Sequence, residues 1–133
     1  MPIIKAQEKR QREAETPLSG WGVFIVRPDQ APSDLHFHDC DEYWLIVRGR
    51  ARVRCGDEEQ VMERGDLLYA RIGELHQVVE VLSEEPFEGV YLEAELRGQR
   101  RRGHLHPGKD ALPEVAADEV KRTGISIRKG AER

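Results

Sequence analysis

From Trp21 to Leu96 short apolar runs follow one another, each closed by turn residues. The first, WGVFIV, is apolar at both alternating sets of positions, the pattern of a strand covered on both sides. DLHFH, EYWLIV, RARVRC, EQVME, DLLYA, HQVVEV and EGVYLEAEL come next, each short and rich in β-branched or aromatic residues. Arg48-Gly49, Gly56-Asp57, Arg64-Gly65-Asp66 and Gly73-Glu74 mark turns between them. About eight short strands at this spacing predict an all-β antiparallel sandwich or barrel over residues 19–97. Residues 1–18 are polar and weakly patterned, which predicts either a disordered arm or a short helix docked on a partner. Residues 98–133 open as a glycine- and arginine-rich loop. Leu112, Val115, Ala116 and Val120 then fall at helical spacing before Gly124, predicting a short C-terminal helix packed on the barrel. No internal repeat or low-complexity tract divides the chain, so one domain is expected.

Composition narrows the class. The 133 residues are 35 % charged, yet the 38 % that are apolar concentrate in the central runs, which argues against global disorder. The formal charge of −4, with both signs interspersed, provides no basic field for nucleic acid or an anionic membrane. The cluster Arg97, Arg100, Arg101, Arg102 and Lys109 lacks interleaved aromatic residues and is read as a solvated loop. Residues 1–19 have no secretory-signal pattern, and no run approaches the ~20 apolar residues that span a bilayer, so a cytoplasmic protein is expected. Two cysteines, Cys40 and Cys55, are too few for a stapled scaffold and are read as reduced thiols.

The chemistry concentrates in LHFHDCDEYWLIVRG. His36 and His38 are two apart, so on a strand both imidazoles project from one face. Glu42 shares their parity, and a bend through Asp39-Cys40-Asp41 brings its carboxylate to the same point. His76, at the start of HQVVEV, is the natural fourth ligand. Three imidazole nitrogens and one carboxylate oxygen suit one divalent transition metal, with iron, manganese, nickel and zinc all compatible. Four protein donors leave a six-coordinate ion two positions for a small molecule.

The segment resembles cupin motif 1, in which a Gly is followed after five residues by His-x-His, after three or four more by Glu, and after six more by Gly. His36, His38, Glu42 and Gly49 keep that spacing. Motif 2 runs Gly, five residues, Pro-x-Gly, two residues, His, three residues, Asn, and Gly65, Gly73 and His76 fall in register. The resemblance covers about residues 21–96 and implies a jelly-roll barrel, a double-stranded β-helix with all four ligands pointing inward. Gln30 stands where motif 1 has its first Gly, Arg71 where motif 2 has Pro, and Glu80 where it has Asn. These departures touch the turn before His76 and the far end of its strand, not the ligands.

Around this centre Trp44 and Ile46 share parity with Glu42 and are expected in the core, with Trp44 also able to wall a substrate pocket. Glu80 shares parity with His76. Facing inward it would be a general base with a raised pKa; facing outward it would sit in water or pair with Arg71. Tyr91, Glu93 and Glu95 alternate with Val90, Leu92, Ala94 and Leu96. The expected arrangement buries the apolar set, because unpaired buried carboxylates are costly; the reverse would make Tyr91 a proton-moving group in the pocket. Arg48 and Arg71 are candidates for holding a substrate carboxylate or phosphate. His104 and His106 repeat the His-x-His spacing, but in a polar loop without a carboxylate in frame, and no second metal site is expected there. Two functions follow: a metalloenzyme on a small polar organic substrate, as an oxygenase or a sugar isomerase or epimerase, or a non-catalytic small-molecule binding protein. Similarity to small cupins and the apolar Trp21–Val26 strand also imply a homodimer.

Overall fold

The computed structural model describes residues 3–98 and 100–113. Seven strands form: β1 (Gly20–Val26), β2 (Glu42–Arg48), β3 (Arg50–Cys55), β4 (Glu58–Glu63), β5 (Leu67–Ala70), β6 (His76–Val81) and β7 (Phe87–Glu93). They make two antiparallel sheets, ordered β1-β7-β2-β5 and β4-β3-β6. The expected DLHFH strand is reduced to two isolated bridges, His36 with His76 and Phe37 with Leu105. The short helix expected after residue 112 lies, from residue 114 on, outside the described residues. No helix among the described residues is long and apolar enough to cross a membrane.

The core lies between the sheets. Ile46, Ala51, Val53, Met62, Leu68, Val78 and Phe87 are buried together, and Phe24 carries the packing across with ring centroids 4.8 Å from Trp44 and 6.1 Å from Phe87. A satellite cluster of Phe37, Leu75 and Leu105 is equally dry. The β2–β3 turn needs its glycine. Gly49 has φ +77°, and a Cβ there would meet the Pro86 carbonyl oxygen at 2.2 Å.

The strands that carry Arg48 and Glu80 are both bulged. On β2 the register steps from Ile46–Gly89 to Arg48–Glu88, leaving Val47 unpaired. On β6 it steps from Val53–Val78 to Arg52–Glu80, leaving Val79 unpaired. An extra residue resets the alternation of faces, so Arg48 and Glu80 do not follow the inward residues before them. Glu80 is exposed and ion-paired with Arg52. Arg48 is exposed and paired with Glu85 at 3.0 Å and Glu88 at 3.8 Å. Neither faces the barrel interior.

Strand β7 also departs from expectation. Phe87, Gly89 and Glu93 are buried and Tyr91 packs on the core, whereas Leu92 is exposed. The carboxylate is not stranded, because the Arg101 guanidinium donates to Glu93 Oε2 at 2.8 Å. The opposite face of the four-stranded sheet is correspondingly apolar. Val23 pairs with Val90, Val90 with Leu45 and Leu45 with Leu67, a continuous row across all four strands. The N-terminal arm is helical in short pieces over Ala6–Glu15. It is tied to its own barrel by Lys9 Nζ, which donates to the Trp21 carbonyl at 2.8 Å.

Candidate metal centre

Asp41 sets the approach to the site. Its Oδ1 accepts the Ile72 N–H at 2.9 Å, and its carbonyl accepts the Ala94 N–H at 2.8 Å. This pins the Asp39–Asp41 bend, so that Glu42 enters β2 with its side chain inward and buried. The turn before His76 closes without the expected proline. Glu74 N–H donates to the Arg71 carbonyl at 2.9 Å and Gly73 N–H to the His38 carbonyl at 3.0 Å, with Gly73 at φ +79°. His36 then bridges to His76 through their backbones at 3.4 and 2.9 Å.

These constraints bring the four residues together. Glu42 Oε2 is 3.2 Å from His38 Nε2, and Glu42 Oε1 is 3.2 Å from His76 Nε2. The His36 ring lies with its centroid 4.8 Å from that of His38 and 4.5 Å from that of His76. Each imidazole is oriented from behind by a backbone carbonyl: His36 Nδ1 faces Asp34 O at 2.8 Å, His38 Nδ1 faces Gly103 O at 3.2 Å, and His76 Nδ1 faces Glu74 O at 3.0 Å. A carbonyl oxygen can only accept, so each Nδ1 carries a hydrogen and Nε2 is the ring atom left to face the centre.

Nε2 of His38 and of His76 are buried, and each faces one oxygen of the Glu42 carboxylate at 3.2 Å. Burial lowers His36 to about 3, assisted by the neighbouring His76, and burial also lowers His38. At neutral pH these two rings supply no cation. Glu42 nevertheless stays ionised: burial alone would raise its pKa, but His76, His38 and the Trp44 indole outweigh it and bring it down to about 2. Trp44 Nε1 donates to Glu42 Oε1 at 2.7 Å, fixing the carboxylate. Three buried imidazoles beside one buried carboxylate form a donor set that fits a divalent transition ion, with donor atoms of His38, Glu42 and His76 within 4.8 Å of one another.

The remaining candidates are distributed differently. Trp44 is in the core beside His76, with ring centroids 5.5 Å apart. Beyond packing, its indole holds the Glu42 carboxylate, a role its parity alone did not reveal. Tyr91 faces the core with its ring over Gly22, where a Cβ would meet the phenol oxygen at 2.6 Å. Arg71 lies 5.9 Å from the Tyr69 ring centroid. It lines a groove of about 730 Å³ with Val53, Cys55, Met62, Leu68 and Tyr69, and none of His36, His38, Glu42 and His76 lines that groove. The positioning role of Asp41 had no sequence signal beyond its place before Glu42.

A curated relative, the uncharacterized protein y4oW of Sinorhizobium fredii, is 36 % identical over 104 residues, covering 75 % of this chain and 47 % of its own length. This chain thus spans about half of that relative. The solved plu4264 protein of Photorhabdus luminescens is 28 % identical with a TM-score of 0.55, over 62 % of this chain and 66 % of its own. A cupin 2 conserved barrel domain protein from Salinispora arenicola is 26 % identical with a TM-score of 0.53, again over 62 % and 66 %. The family model for the Cupin domain matches residues 22–92, a span that contains all four converging side chains and more than half of the sequence, and the chain belongs to the cupin family.

Proposed function

We propose that this chain is a metal-dependent protein in which His36, His38, Glu42 and His76 hold one divalent transition ion, and that it acts on a small polar organic molecule bound beside that ion. One observation carries the reading. Nε2 atoms of two buried imidazoles lie 3.2 Å from opposite oxygens of one buried carboxylate, and donor atoms of the three side chains fall within 4.8 Å of one another, a spacing suited to ligands around a single ion. When bound, such an ion supplies Lewis acidity toward a substrate oxygen. The chain's own residues do the rest. Carbonyls of Asp34, Gly103 and Glu74 fix the three rings, Trp44 fixes the carboxylate, and the core around Phe24 and Phe87 excludes water from behind.

With Glu80 on the outer face, Tyr91 is the remaining proton-moving candidate of the two. That favours, as a second reading, a protein that binds its small molecule through the metal without turning it over. Iron, manganese, nickel and zinc all suit the donor set. Metal analysis of protein purified from its own source, alongside His38→Ala and Glu42→Ala, tests the centre. The expected result is one ion per chain in the parent and a loss of metal in both variants. A metal-free parent that binds no added divalent ion removes the reading. We further propose that the chain pairs with a second copy through the outer face of the four-stranded sheet, where the Val23–Val90–Leu45–Leu67 row lies.

A further inference from the structure

We propose that His104 is a fifth protein donor to the ion, delivered by a second His-x-His segment laid antiparallel on the first; this rests on the metal centre proposed above. Phe37 N–H donates to Leu105 O at 2.8 Å and Leu105 N–H to Phe37 O at 2.9 Å, a closed two-way bridge between the segments. Side chains alternate across such a pair. Phe37 and Leu105 both enter the buried cluster with Leu75, so their neighbours His36, His38, His104 and His106 are placed on the opposite face. The two His-x-His pairs, 68 positions apart between His36 and His104, thus come to share one face.

The ring geometry follows. His104 stacks on His36 with centroids 4.1 Å apart and planes 16° off parallel, and stands edge-on to His38 at 5.1 Å. One ring nitrogen from each of His36, His38 and His104 lies within 4.8 Å of the others. The same holds for donor atoms of His38, Glu42 and His76. His38 belongs to both sets, so the two adjoin through its ring.

The segment is held in place independently of His104. Leu105 is buried, Gly103 O accepts from His38 Nδ1, His106 Nε2 meets Asp34 Oδ2 at 2.7 Å, and His106 N–H donates to Asp110 Oδ2 at 2.7 Å. His104 itself is 60 % exposed. It therefore approaches the ion from the solvent side, the direction from which a small molecule also arrives. The centre becomes a four-nitrogen, one-oxygen set that leaves a six-coordinate ion a single position, and it prefers nitrogen-seeking ions such as cobalt, nickel and zinc over manganese.

The test titrates metal-free full-length protein with Co(II), following the visible bands and competing with a chelator of known affinity. The parent is expected to bind one Co(II) per chain. His104→Ala is expected to weaken binding by roughly 10- to 100-fold, the scale on which perturbed metal-site residues act, and to shift the bands because a nitrogen donor is lost. Free imidazole should return the bands of His104→Ala toward those of the parent, which a merely structural histidine would not allow. Parent affinity and bands in His104→Ala, absence of imidazole rescue, or two Co(II) per parent chain would each overturn the fifth-donor role while leaving the four-residue centre standing. A parent that binds no Co(II) would remove both.

Discussion

The metal-free protein should lose stability in mild acid, and His36 should account for a measurable share of the loss. Its side chain is 10 % exposed, and burial lowers its pKa from the ordinary 6.5 to about 3. A depressed histidine carries no penalty above 6.5, where both folded and unfolded chains keep it neutral. Below 6.5 the unfolded chain takes up the proton and the folded one does not, so stability falls with pH until the folded pKa near 3 is reached. Between about pH 7.5 and about pH 5 that single group costs about 2 kcal/mol, from RT ln of one plus the unfolded protonation ratio. Against the 5–15 kcal/mol typical of small domains this is a large fraction. His38, also lowered, adds a loss of the same sign. Glu42 does not confuse the window. Its stabilisation is present above the ordinary 4.5 and is lost only as pH falls from there toward about 2. The assay is urea unfolding of chelator-treated protein at the two pH values, for the parent and for His36→Gln. The variant should show a pH-dependent loss smaller by about 2 kcal/mol, whatever its absolute stability. Identical losses in parent and variant would mean that His36 is not held neutral by burial, and it would not be the neutral donor that the centre requires.

Three further outcomes follow from the packing. Leu105→Ala removes the residue that anchors the second His-x-His segment beneath Phe37 and Leu75; it should cost about 2–3 kcal/mol in urea unfolding, and a loss under ~0.5 would show the anchor to be slack. Arg101→Ala leaves the Glu93 carboxylate buried without its guanidinium. Because the Arg101 side chain is 40 % exposed, the expected cost is only about 1–3 kcal/mol, largely relieved in the double variant with Glu93→Gln. No relief there would mean that Arg101 matters for its bond to Ser19 rather than for charge. Leu45→Glu places a charge in the centre of the outer apolar row, 44 % exposed in the single chain. Light scattering after gel filtration should read a dimer for the parent and a monomer for this variant, and a parent already monomeric at tens of micromolar rules the pairing out.

What the sequence discloses and what it hides divide along one physical line. Spacing within a segment was legible, because strand geometry fixes which side chains share a face: His36 with His38, and Trp44 with Glu42, needed no knowledge of a partner strand. Anything that depends on register with another strand was hidden. The unpaired Val47 and Val79 look like ordinary strand residues, yet they turn Arg48 and Glu80 away from the interior. Glu93 looked too costly to bury because its counterion, Arg101, lies in a stretch with no periodicity to place it. The same stretch brings His104 to the ligands through a backbone bridge that ties Phe37 to a residue 68 positions away. A repeated His-x-His was visible, but its meaning depended on Leu105 being the apolar residue between the two imidazoles, able to enter the same buried cluster as Phe37. A lone apolar side chain in a polar loop thus decides whether two histidines lie in solvent or stand over the centre, and such residues are where a sequence reading of this fold gains most from closer scrutiny.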